Sequence, residues 1–237
     1  MDKSILRTAI QNNALWCDLV CRAHNSEGEF FDAFWVNSDE VPLLYPNFIT
    51  LQPFKNHKER LEQLSVFLQE NENRSISVKD SYKELAIENW NMKKIIEDDW
   101  IWLALEKKSS VPKNKWKKVS TKRELAMWTA AWSDGDRDLE ETFPSLLLEE
   151  GDVYFLGEFN NSQITKGAIV FQTDDSIGVS NVFSQNSTDS IFWRELVDNM
   201  RFNFPDTLLV GYETGKSLAC ALDAGFESCG KLSVWAR

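Results

Sequence analysis

Positive charge, clustered cysteine and long apolar runs are what this chain has least of. Its 237 residues carry 26 Lys and Arg against 37 Asp and Glu, a net charge of −11. A surface that holds nucleic acid or anionic lipid needs positive patches, so both classes of partner are excluded as expectations, and a cationic ligand such as an amine suits the field better. The four cysteines, Cys17, Cys21, Cys220 and Cys229, include no closely spaced CxxC pair and are too few for a disulfide scaffold, which implies a reducing compartment. No apolar run approaches the roughly 18 residues of a membrane span. The opening MDKSILRTAIQNN has no apolar core of the secretory type. The expectation is a cytoplasmic protein with no membrane partner.

What is present is ample apolar material: 43% hydrophobic, 12% aromatic, with ten tryptophans. Leu6, Ile10, Asn13, Cys17, Val20, Cys21 and His24 recur at helical spacing and predict a helix over 4–24, with Asp18 and Arg22 paired at its edge. Cys17, Cys21 and His24 share one face and are zinc-ligand types. Three such residues on one short helix with no partner cluster read as core packing, so no metal is expected. Strand-like runs at 28–37 and 47–51 lead to a helix over 57–69, a short strand at 75–78, a helix over 80–89 opened by Asp80 or Ser81, and a strand over 94–105.

The polar, basic stretch 109–118 is a candidate linker, dividing 1–108 from 119–237. Beyond it the pattern predicts a helix over 121–132, a loop, and a second helix over 139–149 that Pro144 shortens or splits. Strands come next over 152–159, 167–172 and 177–183, then a helix over 188–202 whose start is rich in capping residues. The chain closes on strand 208–212, helix 214–224 and strand 231–235. Leu218, Cys220, Ala221 and Leu222 give that helix a broad apolar surface, and Gly225 stands where a helix takes a left-handed cap.

The two halves therefore end alike, each with a strand–helix–strand–helix–strand series. The order over 116–237, with the ending GYETGKSLACALDAGF, resembles the GNAT acetyltransferase superfamily, and 1–108 resembles an incomplete, degenerate second copy. The resemblance implies an α/β (α+β) fold: a GNAT-like mixed sheet flanked by helices, in two related subdomains. It also implies acyl-CoA, acetyl-CoA for instance, lodged where the fourth and fifth strands of the family part. Val182, Phe183 and Ser184 would face the thioester, Ser187, Thr188, Asp189 and Ser190 would lie at the pyrophosphate, and Thr214 would stand at the start of the last helix. Tyr212 and Glu213 are the implied acid and base.

The family's phosphate loop carries Arg and glycines where VFSQNSTDSIFW has Ser187, Thr188, Ser190 and Phe192. Its later Asn and Tyr are replaced by Thr214 and Ala221. The acidic loop with Asp134, Asp136, Asp138, Glu140 and Glu141 lacks the Gly and Glu of a calcium loop, having Leu139 and Ser145 there. In the family this loop borders the acceptor, so Asp134, Asp136 and Trp132 are candidate contacts for a small-molecule or peptide amine. Trp100, Trp102 and Trp128 suit either an acceptor pocket or the core. Two functions stay open here: acyl transfer from acyl-CoA to an amine, or a catalytically silent module of the same fold that binds a ligand or a protein.

Overall fold

The computed structural model describes residues 3–106, 116–160, 163–185 and 189–237. In chain order the elements are α1 (Lys3–Ala23), β1 (Glu29–Phe30), β2 (Phe34–Val36), β3 (Phe48–Thr50), α2 (Lys58–Glu70), β4 (Ser77–Asp80), β5 (Lys93–Leu105) and β6 (Trp116–Lys118). They continue with α3 (Lys122–Trp132), β7 (Val153–Asn160), β8 (Gln163–Gln172), β9 (Ile177–Ser184), α4 (Ser190–Asn203), β10 (Thr207–Glu213), α5 (Gly215–Asp223) and β11 (Glu227–Ala236).

The chain divides into two compact units. One, the C-terminal unit, contains the residues up to Asn13 and Trp100–Cys229; the other, the N-terminal unit, contains Ala14–Asp99 and Gly230–Arg237. Each end of the chain thus falls in the unit built mostly from the other half. Of the stretch 109–118, residues 109–115 lie outside the described residues, and 116–118 are β6, paired antiparallel with β7.

In the C-terminal unit the strands are ordered β5-β10-β9-β8-β7-β6, with β10 and β9 parallel and β9 through β6 antiparallel. The sheet is mixed and has helices on both faces. Alternation along β7 separates them: Tyr154 and Leu156 pack with Phe192, Trp193, Leu196 and Ala221 of α4 and α5, while Phe155 meets Trp128 of α3. The first part of α1 lies on the α3 face. There the Asn12 amide donates to Ser176 Oγ at 3.1 Å and to the Phe171 carbonyl at 3.3 Å. A Cβ on Gly178 would sit 1.9 Å from Asn12 Oδ1, so glycine is required at that approach.

In the N-terminal unit the order is β1-β2-β3-β4-β11, again mixed, with β3 and β4 parallel. Phe48, Phe54, Leu64, Phe67, Leu68, Val78 and Trp235 form the core under α2. Arg237 donates to the Leu68 and Asn71 carbonyls at 2.9 and 2.6 Å, closing the C-terminus of that helix. Asp18 bridges Trp35 Nε1 (2.9 Å) and Arg22 Nε (3.0 Å), the latter being the pair expected from their spacing.

Three local expectations need correction. No helix forms over 80–89. Asp80 instead accepts from the backbone N–H groups of Tyr82 and Leu85, Lys83 takes a left-handed φ of +53°, and a single 3-10 turn, Glu88–Trp90, remains. A short acidic side chain that bonds its own backbone competes with helix formation, and here it wins. The helix over 139–149 is two 3-10 turns, Arg137–Leu139 and Ser145–Leu148, with Pro144 preceding the second. Within α5 only Ala221 is fully buried and Leu222 is 41% exposed, so this helix is a one-faced cover. Gly225 does hold φ +105°, with Gly225 N–H donating to Leu222 and Phe226 N–H to Ala221, as a left-handed helix cap requires.

Candidate active site

The parallel strands β9 and β10 share only two paired positions, Leu209 with Ile177 and Val210 with Gly178. Both run on past this point, β9 to Ser184 and β10 to Glu213, and their C-terminal ends lead to α4 and α5. Such ends, on parallel strands followed by helices, are where open α/β sheets take their ligands.

The departure of β9 has a local cause. On β8, Ile169 is opposite Ser180 but Gly167 is opposite Phe183, so β9 contains one extra residue, and Asn181 within the bulge has φ +50°. Asparagine tolerates that left-handed conformation better than a β-branched residue would. The bulge also switches the side-chain pattern. Ile177 and Val179 face α4 before it; after it Val182 packs toward α4 and Phe183 turns to the α3 face.

The predicted site residues fall into several environments. Val182 is half-buried on the α4 side, Phe183 is buried on the α3 side, and Ser184 ends the strand opposite Lys166. Asp189 caps α4: its Oδ1 accepts from the N–H groups of Ile191 and Phe192, both at 3.0 Å. The amides that would meet a pyrophosphate are therefore already bonded to a carboxylate. Ser190 is half-buried at the first position of α4, and Ser187 and Thr188 lie outside the described residues.

Tyr212 is half-buried, with its ring 5.4 Å from Trp100 and nearly perpendicular to it. Leu209 belongs to the cluster under α4, so alternation gives Tyr212 to the opposite face, shared with Phe183 and α3, and Glu213 to the α4 face. Thr214 is exposed and precedes α5 without capping it through its side chain.

On the α3 side, Trp132 stacks on Trp128 at 6.4 Å, and Trp128 meets Phe183 edge-on at 5.1 Å. A chain of rings thus joins the end of α3 to the end of β9. Asp134 and Asp136 are exposed in the loop after α3, where Asp134 has φ +52° and Asp136 accepts from the Asp138 N–H. Among the described residues no group of acids, histidines and cysteines is arranged to hold a metal ion. Cys17 and Cys21 are buried in α1, and burial pushes the Cys17 thiol up to about 11 and the Cys21 thiol up as well.

Sequence reasoning missed Asn181, Gly167 and Lys166. Lys166 lies between Glu195 (2.6 Å) and Glu158 (3.3 Å). Burial alone would lower its pKa, but its bond to Glu195 and the charges of both carboxylates raise it. None of the three carries a motif. Each acquires its role from strand register, which a single sequence does not display.

No family model matches the chain, and no curated protein matches it. Solved structures do. A GCN5-related N-acetyltransferase from Kribbella flavida superposes with a TM-score of 0.60 at 12% identity, covering 95% of this chain and 94% of its own. A GCN5-related N-acetyltransferase from Sphaerobacter thermophilus gives 0.53 at 10% identity, over 86% and 76%. Saccharomyces cerevisiae N-myristoyltransferase with bound myristoyl-CoA gives 0.52 at 8% identity, over 89% and 65%. The protein has the GNAT fold, the fold class expected from the order of its elements. Among the described residues no helix is long and apolar enough to cross a membrane.

Proposed function

We propose that the protein transfers a short acyl group from acyl-CoA to an amine at the parting of β9 and β10. The observation that carries this reading is the bulge at Asn181 on a strand whose pairing with β10 is confined to Ile177 and Gly178, while Phe183 and Ser184 stay opposite Gly167 and Lys166 of β8. A backbone N–H on the edge of β9 that faces the gap can donate to a carbonyl oxygen, and its donation matters most when that oxygen becomes negative.

The amine nitrogen attacks the thioester carbon, the C–N bond forms, and the C–S bond breaks. Tyr212, at the lip of β10, gives the departing thiolate its proton. The nitrogen sheds its proton through water toward Glu213. Tyr212 and Glu213 lie on opposite faces of β10, but a gap between parted strands opens to both faces. Asp134 and Asp136 supply negative potential for a cationic acceptor, with Trp132 as its apolar wall.

A second reading, a non-catalytic module of the same fold, is favoured by one observation: Asp189 occupies the first amides of α4. Thermal unfolding with CoA and with acetyl-CoA separates the two. Ligand at about a hundredfold over Kd should stabilise the protein by about 2.7 kcal/mol and raise the melting temperature by several degrees. No shift with either compound eliminates acyl transfer. A shift without thiol release on any amine, or with a release rate indifferent to Tyr212→Phe, leaves the binding module.

A further inference from the structure

The first residues of β5, Lys93–Asp99, belong to the N-terminal unit. There β11 lies along one side of them. Lys231 Nζ is 3.0 Å from Asp99 Oδ1, and the Lys94 ammonium sits 5.3 Å from the centre of the Trp235 ring. The strand on the other side of β5 is too short to reach them. β10 has 7 residues against 13 in β5, and it begins at the far end, where the Asp206 N–H donates to the Leu105 carbonyl at 2.7 Å.

Lys93, Lys94, Ile95, Ile96 and Glu97 are all exposed, the isoleucines by 59% and 40%, and burial begins only at Asp98. Successive side chains point to opposite faces, so neither face of this segment is covered. An open strand edge offers N–H and C=O groups to another chain, and natural edges are commonly protected by charge. This one has both signs, in an order that complements itself: two lysines, two isoleucines, then Glu97. Lys93 has no ion pair among the described residues. Glu97 is bonded to Lys83 and Lys94, yet 43% of its side chain stays exposed.

In an antiparallel pair of identical strands the twofold axis passes beside one residue, and residues opposite one another share a face. Centred on Ile95, such a pair sets Lys93 of each copy against Glu97 of the other, with the two Ile95 side chains between these charges. On the opposite face the Lys94 stem of each copy lies along Ile96 of the other. Parallel pairing in register would set Lys93 against Lys93 and Glu97 against Glu97, which is repulsive.

We infer that Lys93–Glu97 is a self-association edge, pairing antiparallel with the same segment of a second copy to give a twofold dimer. The contact is short, so the dimer is weak and forms with rising concentration. It does not depend on the acyl-transfer reading.

Sedimentation velocity of the full chain, from micromolar to near-millimolar concentration, reads the dimer directly. The parent should pass from monomer to dimer as concentration rises. Lys93→Glu and Glu97→Lys should each raise the dissociation constant about tenfold or more, because both symmetry-related pairs become like-charged. Mixing the two variants should restore association as a heterodimer, since each copy then meets opposite charge in the other. Circular dichroism checks the native sheet in both. Lys93→Glu breaks no ion pair of its own chain, so it keeps the test open if Glu97→Lys fails to fold. A parent that stays monomeric at every concentration overturns the inference. A dimer whose strength is unchanged in Lys93→Glu overturns it too, by locating the contact on another face.

Discussion

Each unit contains a parallel strand pair, and the two pairs end differently. In the N-terminal unit, β3 and β4 pair at Phe48 with Val78 and Ile49 with Lys79, and the chain beyond them is tied shut. Thr50 Oγ1 accepts from the Ser81 N–H at 2.8 Å, the Tyr82 hydroxyl donates to the Leu51 carbonyl at 3.1 Å, and Glu84 Oε2 accepts from the N–H groups of Phe54 and Lys55 at 3.0 and 2.9 Å. In the C-terminal unit, β9 leaves the pair through a bulge at a left-handed Asn181. The same supersecondary motif is thus sealed by three polar side chains in one place and bent away by an extra residue in the other. A parallel pair by itself is no site; the course of the chain beyond its last rung makes one or prevents it.

The largest effect should come from removing the bulge. Deleting Asn181 removes the bulge and restores alternation through β9, with Val182 and Phe183 keeping their faces. Acyl transfer should fall by about 10²–10³, the cost of losing an oxyanion donor, while circular dichroism still reports the native sheet. Asn181→Gly, which keeps the positive φ, should retain activity. Equal rates for the deletion and the parent would remove the bulge from the mechanism.

Loosening the sealed pair should give a smaller effect of another kind. Tyr82→Phe and Glu84→Ala should each cost about 1 kcal/mol in urea unfolding, a typical net value for such hydrogen bonds, and neither should create a second acyl-CoA site. Two bound equivalents in Glu84→Ala would show that only the side-chain seal separates the two pairs.

The smallest effect is a pH dependence. Burial holds the Cys17 thiol in the N-terminal unit and the Cys229 thiol in the C-terminal unit at about 11, above the ordinary 9.0. The folded protein keeps these protons where the unfolded chain releases them. Their contribution is complete below pH 9 and is lost as pH rises toward 11. Cys17→Ser and Cys229→Ser should each flatten the alkaline fall in melting temperature. An unchanged slope in both variants would assign the fall to other groups.

Much of the fold was legible in one sequence because it depends on near neighbours. The period through Leu6, Ile10, Cys17, Val20 and Cys21 is α1; the helix expected over 121–132 is α3; Gly225 caps α5. The failures have a common cause. Asp80 looks like a helix cap, but its carboxylate holds Tyr82 and Leu85 in a turn. Leu222 fits an apolar face, yet α5 covers the sheet with one side only. Asn181 resembles any strand polar residue until the register against β8 reveals the one extra residue.

The sequence alone was enough for the order and type of most elements, for the net charge of −11, and for the resemblance to the GNAT fold now matched by solved structures. These come from periodicity, capping and composition, which act within a few residues or over the whole chain. Folding in three dimensions was needed to assign residues up to Asn13 and from Gly230 to opposite units from their neighbours in sequence. It was needed again to close β3 and β4 while β9 bends away, and to bring Phe183 and Trp128 against Gly167. Those facts rest on strand register and on contacts between residues far apart in the chain, and a shift of one residue in register exchanges the faces on which they depend.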